Sequence, residues 1–160
     1  MNKAYLLIGG NVGNRLQNLA RAAKIIQENC GKITLFSSVY ETAAWGLEDQ
    51  PAFLNQALEL ETSFSASELM SRLLWCEEEM GRRRMEKYGP RIIDMDILLF
   101  NNEIHASSHI TVPHPALPVR RFALVPLNEI APSYMHPVLH KTIHQLLEEC
   151  ADKLDVNKYE

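Results

Sequence analysis

Arg91–Phe100 reads RIIDMDILLF, and its alternation orders the rest of the chain. Side chains of an extended segment point to opposite faces in turn. Ile93, Met95, Ile97 and Leu99 are therefore expected on one face, and Asp94 and Asp96 on the other. Upstream, Ala4–Ile8 reads as a buried strand. Leu16, Leu19, Ala23 and Ile26 then make one helical stripe, and Gly31 stops it. Ile33, Leu35, Ser37 and Val39 alternate as a second strand. Glu41 to Pro51 has no periodicity and reads as a long loop. Phe53 to Glu61 alternates as a third strand, with Leu54, Leu58 and Leu60 on one face and Phe53 and Asn55 on the other. Ser65 with Glu68 forms a capping box, stapled by Phe64 and Leu69. Leu69, Leu73, Cys76 and Met80 follow as an apolar stripe that Gly81 ends. The succession β-α-β-β-α-β is an α+β arrangement, the ferredoxin-like plan of an antiparallel sheet with helices on one face. Beyond it, a helix around Arg121–Ile130 and another capped by Thr142 and Gln145 form a helical C-terminal extension.

Composition agrees with one domain over residues 1–160. Of the 160 residues, 46% are hydrophobic and 22% charged, and there is no repeat or linker. A chain of this size buries roughly two-thirds of its surface without staples. Cys30, Cys76 and Cys150 are odd in number and dispersed, which argues against a disulfide framework and for a reducing compartment. The apolar run at Ala4–Ile8 is too short for a secretory core, and no stretch can span a bilayer. A cytoplasmic address is expected, with no membrane partner.

The net charge of −4 hides a local exception. Arg82 to Arg91, RRRMEKYGPR, carries a net +4, so the other 150 residues sum to −8. A cationic loop on an acidic body suits a small anion better than nucleic acid. Two residues of rise put Asp94 and Asp96 roughly 7 Å apart at the backbone. Carboxylates in that register can share hard divalent cations, and magnesium takes one or two carboxylates plus phosphate oxygens and water. Arg82, Arg83, Arg84 and Arg91 offer planar forks for phosphate. The two features make one site only if a nucleotide lies between them; otherwise each is an ordinary solvated surface. Gly89-Pro90 resembles the anchor of an active-site lid. Gly9-Gly10-x-x-Gly13 reads as a tight turn, and His136, His140 and His144 as surface histidines. An aromatic beside Asn55 could belong to the core or stack on a flat heterocycle.

IGGNVGNR, DQPAFLNQALELET, YGPRIIDMDILLF and TVPHP with Arg120–Phe122 together resemble the hydroxymethyl-dihydropterin pyrophosphokinases of the folate pathway, over nearly the whole chain. The resemblance implies transfer of the β,γ-diphosphate of ATP, a co-substrate, to the hydroxyl of 6-hydroxymethyl-7,8-dihydropterin, with release of AMP. It implies two Mg2+ ions on Asp94 and Asp96, with Arg82, Arg84 and Arg91 on the phosphates. Glu77, Ile97, Thr111, His114 and Arg120 fall on nucleotide-holding positions. Phe53 and Phe122 would stack the pterin, whose edge meets Asn55 and the stretch Thr42–Ala43, with Trp45 nearby. Small molecules are the expected partners of a monomer. The chain departs from the family pattern at Phe53 (often tyrosine), in TAAWG (often TPPLG), at Tyr88 (often tryptophan) and at His109 (arginine in some members). A nucleic-acid module using the basic loop and a two-metal phosphohydrolase are the competing classes.

Overall fold

The computed structural model describes residues 1–43, 51–81 and 91–160. In chain order the elements are β1 (Asn2–Gly10), α1 (Arg15–Asn29), β2 (Lys32–Phe36), β3 (Tyr40–Thr42), β4 (Phe53–Thr62), α2 (Ala66–Glu79) and β5 (Asp94–Phe100). They continue with β6 (His105–Ala106), β7 (Thr111–Val112), α3 (Arg121–Ile130), α4 (Ile143–Glu149) and β8 (Val156–Lys158). The main sheet runs β5-β1-β4-β3-β8, with β2 also on β4, and every pair is antiparallel. β6 and β7 form a separate small hairpin.

Helix boundaries follow local chemistry. Asn14 Oδ1 accepts from Gln17 N to start α1, and the expected boxes at Ser65/Glu68 and Thr142/Gln145 cap α2 and α4. Such caps satisfy amides that have no intrahelical partner. The stripe of α1 departs from expectation at two positions, Leu16 and Ala23. Leu19, Ala22 and Ile26 are buried, whereas Ala23 is half-buried and Leu16 is 47% exposed.

Two cores sandwich the sheet. Leu6, Ile8, Leu54, Leu58, Leu60 and Ile97 pack under α1 and α2. Tyr5, Leu7, Leu98 and Leu99 pack under α3 and α4. The helical extension thus covers the face that α1 and α2 leave open. Leu99 was expected beside Ile97 and is not. Leu6 pairs with Ile97 but Tyr5 pairs with Leu99, so Leu98 is an extra residue in β5. Such a bulge re-aims the side chains after it, sending Leu98 and Leu99 to the second core and Phe100 to the first.

The single strand expected over 33–39 is two strands on one partner. β2 pairs with Leu58–Glu61 and β3 with Phe53–Asn55. Between them Ser37 Oγ accepts from Ala57 N, and Ser37 N donates to Ala57 O. A side chain here replaces one main-chain rung. β3 runs through Glu41 and Thr42, where a loop was expected, and β8 extends the sheet beyond β3 with no strong sequence pattern of its own.

The edge strand β5 is not left open. Met95 N donates to Glu77 Oε2 (2.6 Å), and Leu98 O accepts from His114 N (2.9 Å). Cys30 and Cys76, distant in sequence, meet in the first core with sulfurs 4.0 Å apart as free thiols. His136 was expected at the surface but is 4% exposed: its Nδ1 accepts from Val138 N and Leu139 N. Burial, with nearby His140, keeps its ring below the ordinary histidine pKa. No helix among the described residues is long and apolar enough to cross a membrane.

Candidate active site

Directly opposed residues of antiparallel strands point to the same face. Asp94 opposes Gly9, Gly9 opposes Asn55, and Asn55 opposes Tyr40. One row across four strands therefore reads Asp94–Gly9–Asn55–Tyr40. The next row toward the middle of the sheet reads Asp96–Leu7–Ala57. Toward the rim, Phe53 opposes Thr42. Leu7 belongs to the second core and the Tyr40 hydroxyl donates to Glu129 on α3. All these side chains thus share the face that α3 covers.

Asp94 and Asp96 accordingly lie on one side of the sheet, both half-buried. Adjacent strands are about 4.8 Å apart, so Asp94 and Asn55 are separated by roughly 10 Å at the backbone. The floor between them is Gly9, which carries no side chain. A Cβ there would fall 2.0 Å from Asn55 Oδ1. Strand glycines mark such close approaches, and this one lets the Asn55 amide lie against bare backbone. Asn55 is itself buried.

One guanidinium stands beside the first carboxylate. Arg91 Nη1 lies 3.2 Å from Asp94 Oδ2. Arg120, the residue before α3, places its guanidinium carbon 5.6 Å from the centroid of the Phe122 ring. Phe122, in the first turn of α3, packs on the edge of the second core. His114 follows β7, and its Nδ1 accepts from Ala116 N (3.1 Å). Burial, then the charge of Arg120, lowers its pKa to about 4. The ring is therefore neutral at pH 7, and with Nδ1 accepting, its proton sits on Nε2.

Other predicted residues are placed differently. Ile97 is buried in the first core, which leaves only its main chain for a ligand. Glu77 is 2% exposed and accepts from the Met95 amide, a bond that serves the geometry of β5. Thr111 is exposed on β7, and Ala43 is exposed just past β3. Thr42 is buried, and its Oγ1 has no hydrogen-bond partner among the described residues. His109 Nε2 lies 3.1 Å from Ser67 O and 3.2 Å from Ser71 Oγ, on α2. Trp45, Arg82, Arg83, Arg84 and Tyr88, with Gly89-Pro90, lie outside the described residues. Gly9 and Asn11 escaped the sequence reading as site residues. Their signal was two consecutive glycines closing a strand.

The family model of 7,8-dihydro-6-hydroxymethylpterin-pyrophosphokinase matches residues 5–132, well over half of the chain. The chain belongs to this family. A 2-amino-4-hydroxy-6-hydroxymethyldihydropteridine pyrophosphokinase of Aquifex aeolicus is 40% identical over 149 residues, 93% of this chain and 92% of that one. One of Bacillus subtilis is 42% identical over 130 residues, 81% and 78% of the two chains. Among solved structures, the HPPK-DHPS protein of Plasmodium falciparum aligns with a TM-score of 0.73 at 20% identity. That match covers 93% of this chain and 43% of the longer one, and at such identity it establishes a shared fold. Members of a pyrophosphokinase family need one place for a polyphosphate and another for its acceptor. Here Asp94 and Asn55 share one face of the sheet, two strands apart.

Proposed function

We propose that this chain transfers the β,γ-diphosphate of ATP to the hydroxyl of 6-hydroxymethyl-7,8-dihydropterin in folate biosynthesis. The observation that carries this reading is the face shared by Asp94, Asp96 and Asn55, with Gly9 in the strand between them and the Asn55 amide lying against its backbone. Membership in the family, and names shared with relatives about 40% identical, support the same reaction.

The hydroxyl oxygen of the pterin forms a bond to the β-phosphorus, the bond from that phosphorus to the α,β-bridging oxygen breaks, and AMP leaves. The hydroxyl proton goes to solvent. Asp94 and Asp96 fit magnesium by donor type: hard oxygens, two in number, with phosphate and water to complete the shell. They would hold two ions. Magnesium held there would neutralise phosphate charge and acidify the attacking hydroxyl. Arg91 and Arg120 add charge-assisted bonds to phosphate oxygens, joined by Arg82 and Arg84. Neutral His114 donates from Nε2 without adding charge. Thr111 and the Ile97 main chain line the nucleotide side, and Glu77 supports it through the Met95 amide.

On the acceptor side, Phe53 and Phe122 sandwich the pterin ring, and such stacking is worth about 0.5–1.5 kcal/mol per pair beyond area burial. Selection rests more on Asn55, whose buried amide would be costly to leave unpaired. The orphaned Thr42 hydroxyl favours a polar ligand edge at the same place, next to Ala43 and Trp45. Residues 1–160 act here as one cytoplasmic, monomeric domain on small molecules.

The test is incubation with ATP, Mg2+ and the hydroxymethyl-dihydropterin, with nucleotides resolved by chromatography. AMP should form only when the pterin is present, in equimolar amounts with the diphosphorylated product. Phosphate release without pterin would point to a hydrolase instead and sink the proposal.

A further inference from the structure

Asn11 stands at a convergence of three segments. It follows Gly10, the end of β1, and is 2% exposed. Its main-chain N–H donates to Arg91 O (2.9 Å), and its Oδ1 accepts from Arg91 N (2.9 Å). The two bonds copy one rung of the β1–β5 ladder, with the side-chain oxygen standing in for a main-chain carbonyl. That substitution frees the chain to turn away at Val12 and Gly13. The remaining polar group is used as well: Nδ2 donates to Pro51 O (3.0 Å). Gly10 permits this approach, since a Cβ there would meet Ile92 O at 2.3 Å.

The partners are informative. Pro51 lies two residues before Phe53 and four before Asn55. Arg91 lies three residues before Asp94. One planar amide thus joins the main-chain entry of the acceptor-side strand to that of the carboxylate strand. Only asparagine supplies an acceptor and a donor diverging from so short a stem. Aspartate would lose the donor, and glutamine would displace both strands by a methylene.

We propose that Asn11 is a positioning residue that sets the separation between the acceptor half-site and the phosphate half-site; this rests on the site assigned under Proposed function. Asn11 touches neither substrate in this scheme. Its effect is on alignment, and a misplacement of 1 Å can cost about 10²-fold in rate. Loss of the tie need not unfold the protein. Arg15 Nη1 independently holds Ala52 O (2.9 Å) and Glu41 Oε2 (2.7 Å), and the pairing of Gly9 and Gly10 with β4 remains.

The experiment measures Asn11→Ala and Asn11→Asp by single-turnover kinetics at saturating substrates, well below the melting temperature. Calorimetry on each variant measures pterin alone and a non-hydrolysable ATP analogue with Mg2+. For Asn11→Ala the expected result is single-substrate affinities within about threefold of the parent and a turnover rate about 10²-fold lower. Asn11→Asp keeps the Arg91 bond, loses the one to Pro51, and should fall between. A purely structural role would lower the melting temperature but leave the single-turnover rate within threefold, and that result overturns the proposal. So does a rate loss matched by an equal loss of affinity for one substrate alone. If Asn11→Ala does not fold, the nearly isosteric Asn11→Asp carries the test, and an unchanged rate refutes the idea. Asp94→Asn run in parallel separates the two layers. Turnover by Asp94→Asn rejects the site itself; an inactive Asp94→Asn beside a normal Asn11→Ala rejects only the positioning role.

Discussion

A methyl group added at position 9 would land 2.0 Å from Asn55 Oδ1 and 2.8 Å from Leu54 O. One neighbour is a movable side chain and the other is backbone, so Gly9→Ala should displace the Asn55 amide and strain β4. Overpacking of this kind costs about 1–3 kcal/mol. The expected phenotype is a folded enzyme of reduced melting temperature whose KM for the pterin rises far more than its KM for ATP, measured by varying each substrate. Asp94 and Asp96 behave oppositely. Both point away from the first core and are half-buried, so Asp94→Ala and Asp96→Ala should keep the circular dichroism spectrum while turnover disappears. A tenth of the parental rate in either variant would contradict the metal assignment. His114 governs a third effect. Its folded pKa of about 4 lies below its ordinary 6.5, because of burial and then Arg120. The unfolded chain therefore binds a proton in that interval that the folded chain refuses, so stability falls as pH drops from 6.5 toward 4. Buried His136 is shifted in the same direction and adds to the slope. His114→Asn, which keeps an acceptor for Ala116 N, should flatten the dependence. The change is on the order of 1 kcal/mol at pH 5, discounted for the ring's partial exposure, and urea unfolding at pH 5 and 7.5 measures it.

Among the elements, α3 decides where Phe122 stands over the sheet, and Glu129 ties α3 down. Its carboxylate accepts from Ser38 N, Ser38 Oγ and the Tyr40 hydroxyl. Burial, then that carboxylate, raises the Tyr40 phenol to about 12. Hydrogen bonds to charged groups contribute about 1.5–3 kcal/mol, and this one is partly exposed. Glu129→Ala should therefore cost about 1–2 kcal/mol in urea unfolding. The Tyr40 titration should move down, and, on the proposed pterin site, the pterin KM should rise several-fold as α3 and its Phe122 shift. An unaltered pterin KM would mean that α3 is held by its apolar face alone. Elements of this kind were legible in the sequence where a local rule sufficed. Ser65/Glu68 and Thr142/Gln145 marked helix starts, and Leu54, Leu58 and Leu60 marked the core face of β4. The misplacements came from long-range partners. Leu99 changes face because Leu98 is bulged against β1, and the break at Ser37 is set by Ala57. β8 has no periodicity to read, since its place depends on the free edge of β3.

At the scale of the whole molecule, the residues assigned to the candidate site stand out in the sequence because their types and spacing are distinctive: paired carboxylates, clustered guanidiniums, an aromatic beside an amide. The connections between them were not. The amide of Asn11 and the bare floor at Gly9 have meaning only once β1 lies between β4 and β5. The same view bears on the metal. Among the described residues no three His, Cys, Asp or Glu side chains gather into a cage. The magnesium proposed for Asp94 and Asp96, held otherwise by phosphate oxygens and water, would arrive with the nucleotide and contribute little to the folded protein alone. Chelation with EDTA should accordingly abolish AMP formation reversibly while the melting temperature of the substrate-free protein stays unchanged. Adding Mg2+ without nucleotide should also leave it unchanged. Adding both at about 100 times the dissociation constant should stabilise by roughly 2.7 kcal/mol, a rise of about 5–10 °C for a chain of this size. Asp96→Asn should erase the part of that rise that requires magnesium. A melting temperature that drops on chelation without nucleotide would mean that the ion is built into the fold, and the division between a rigid scaffold and a metal carried in with ATP would have to be abandoned.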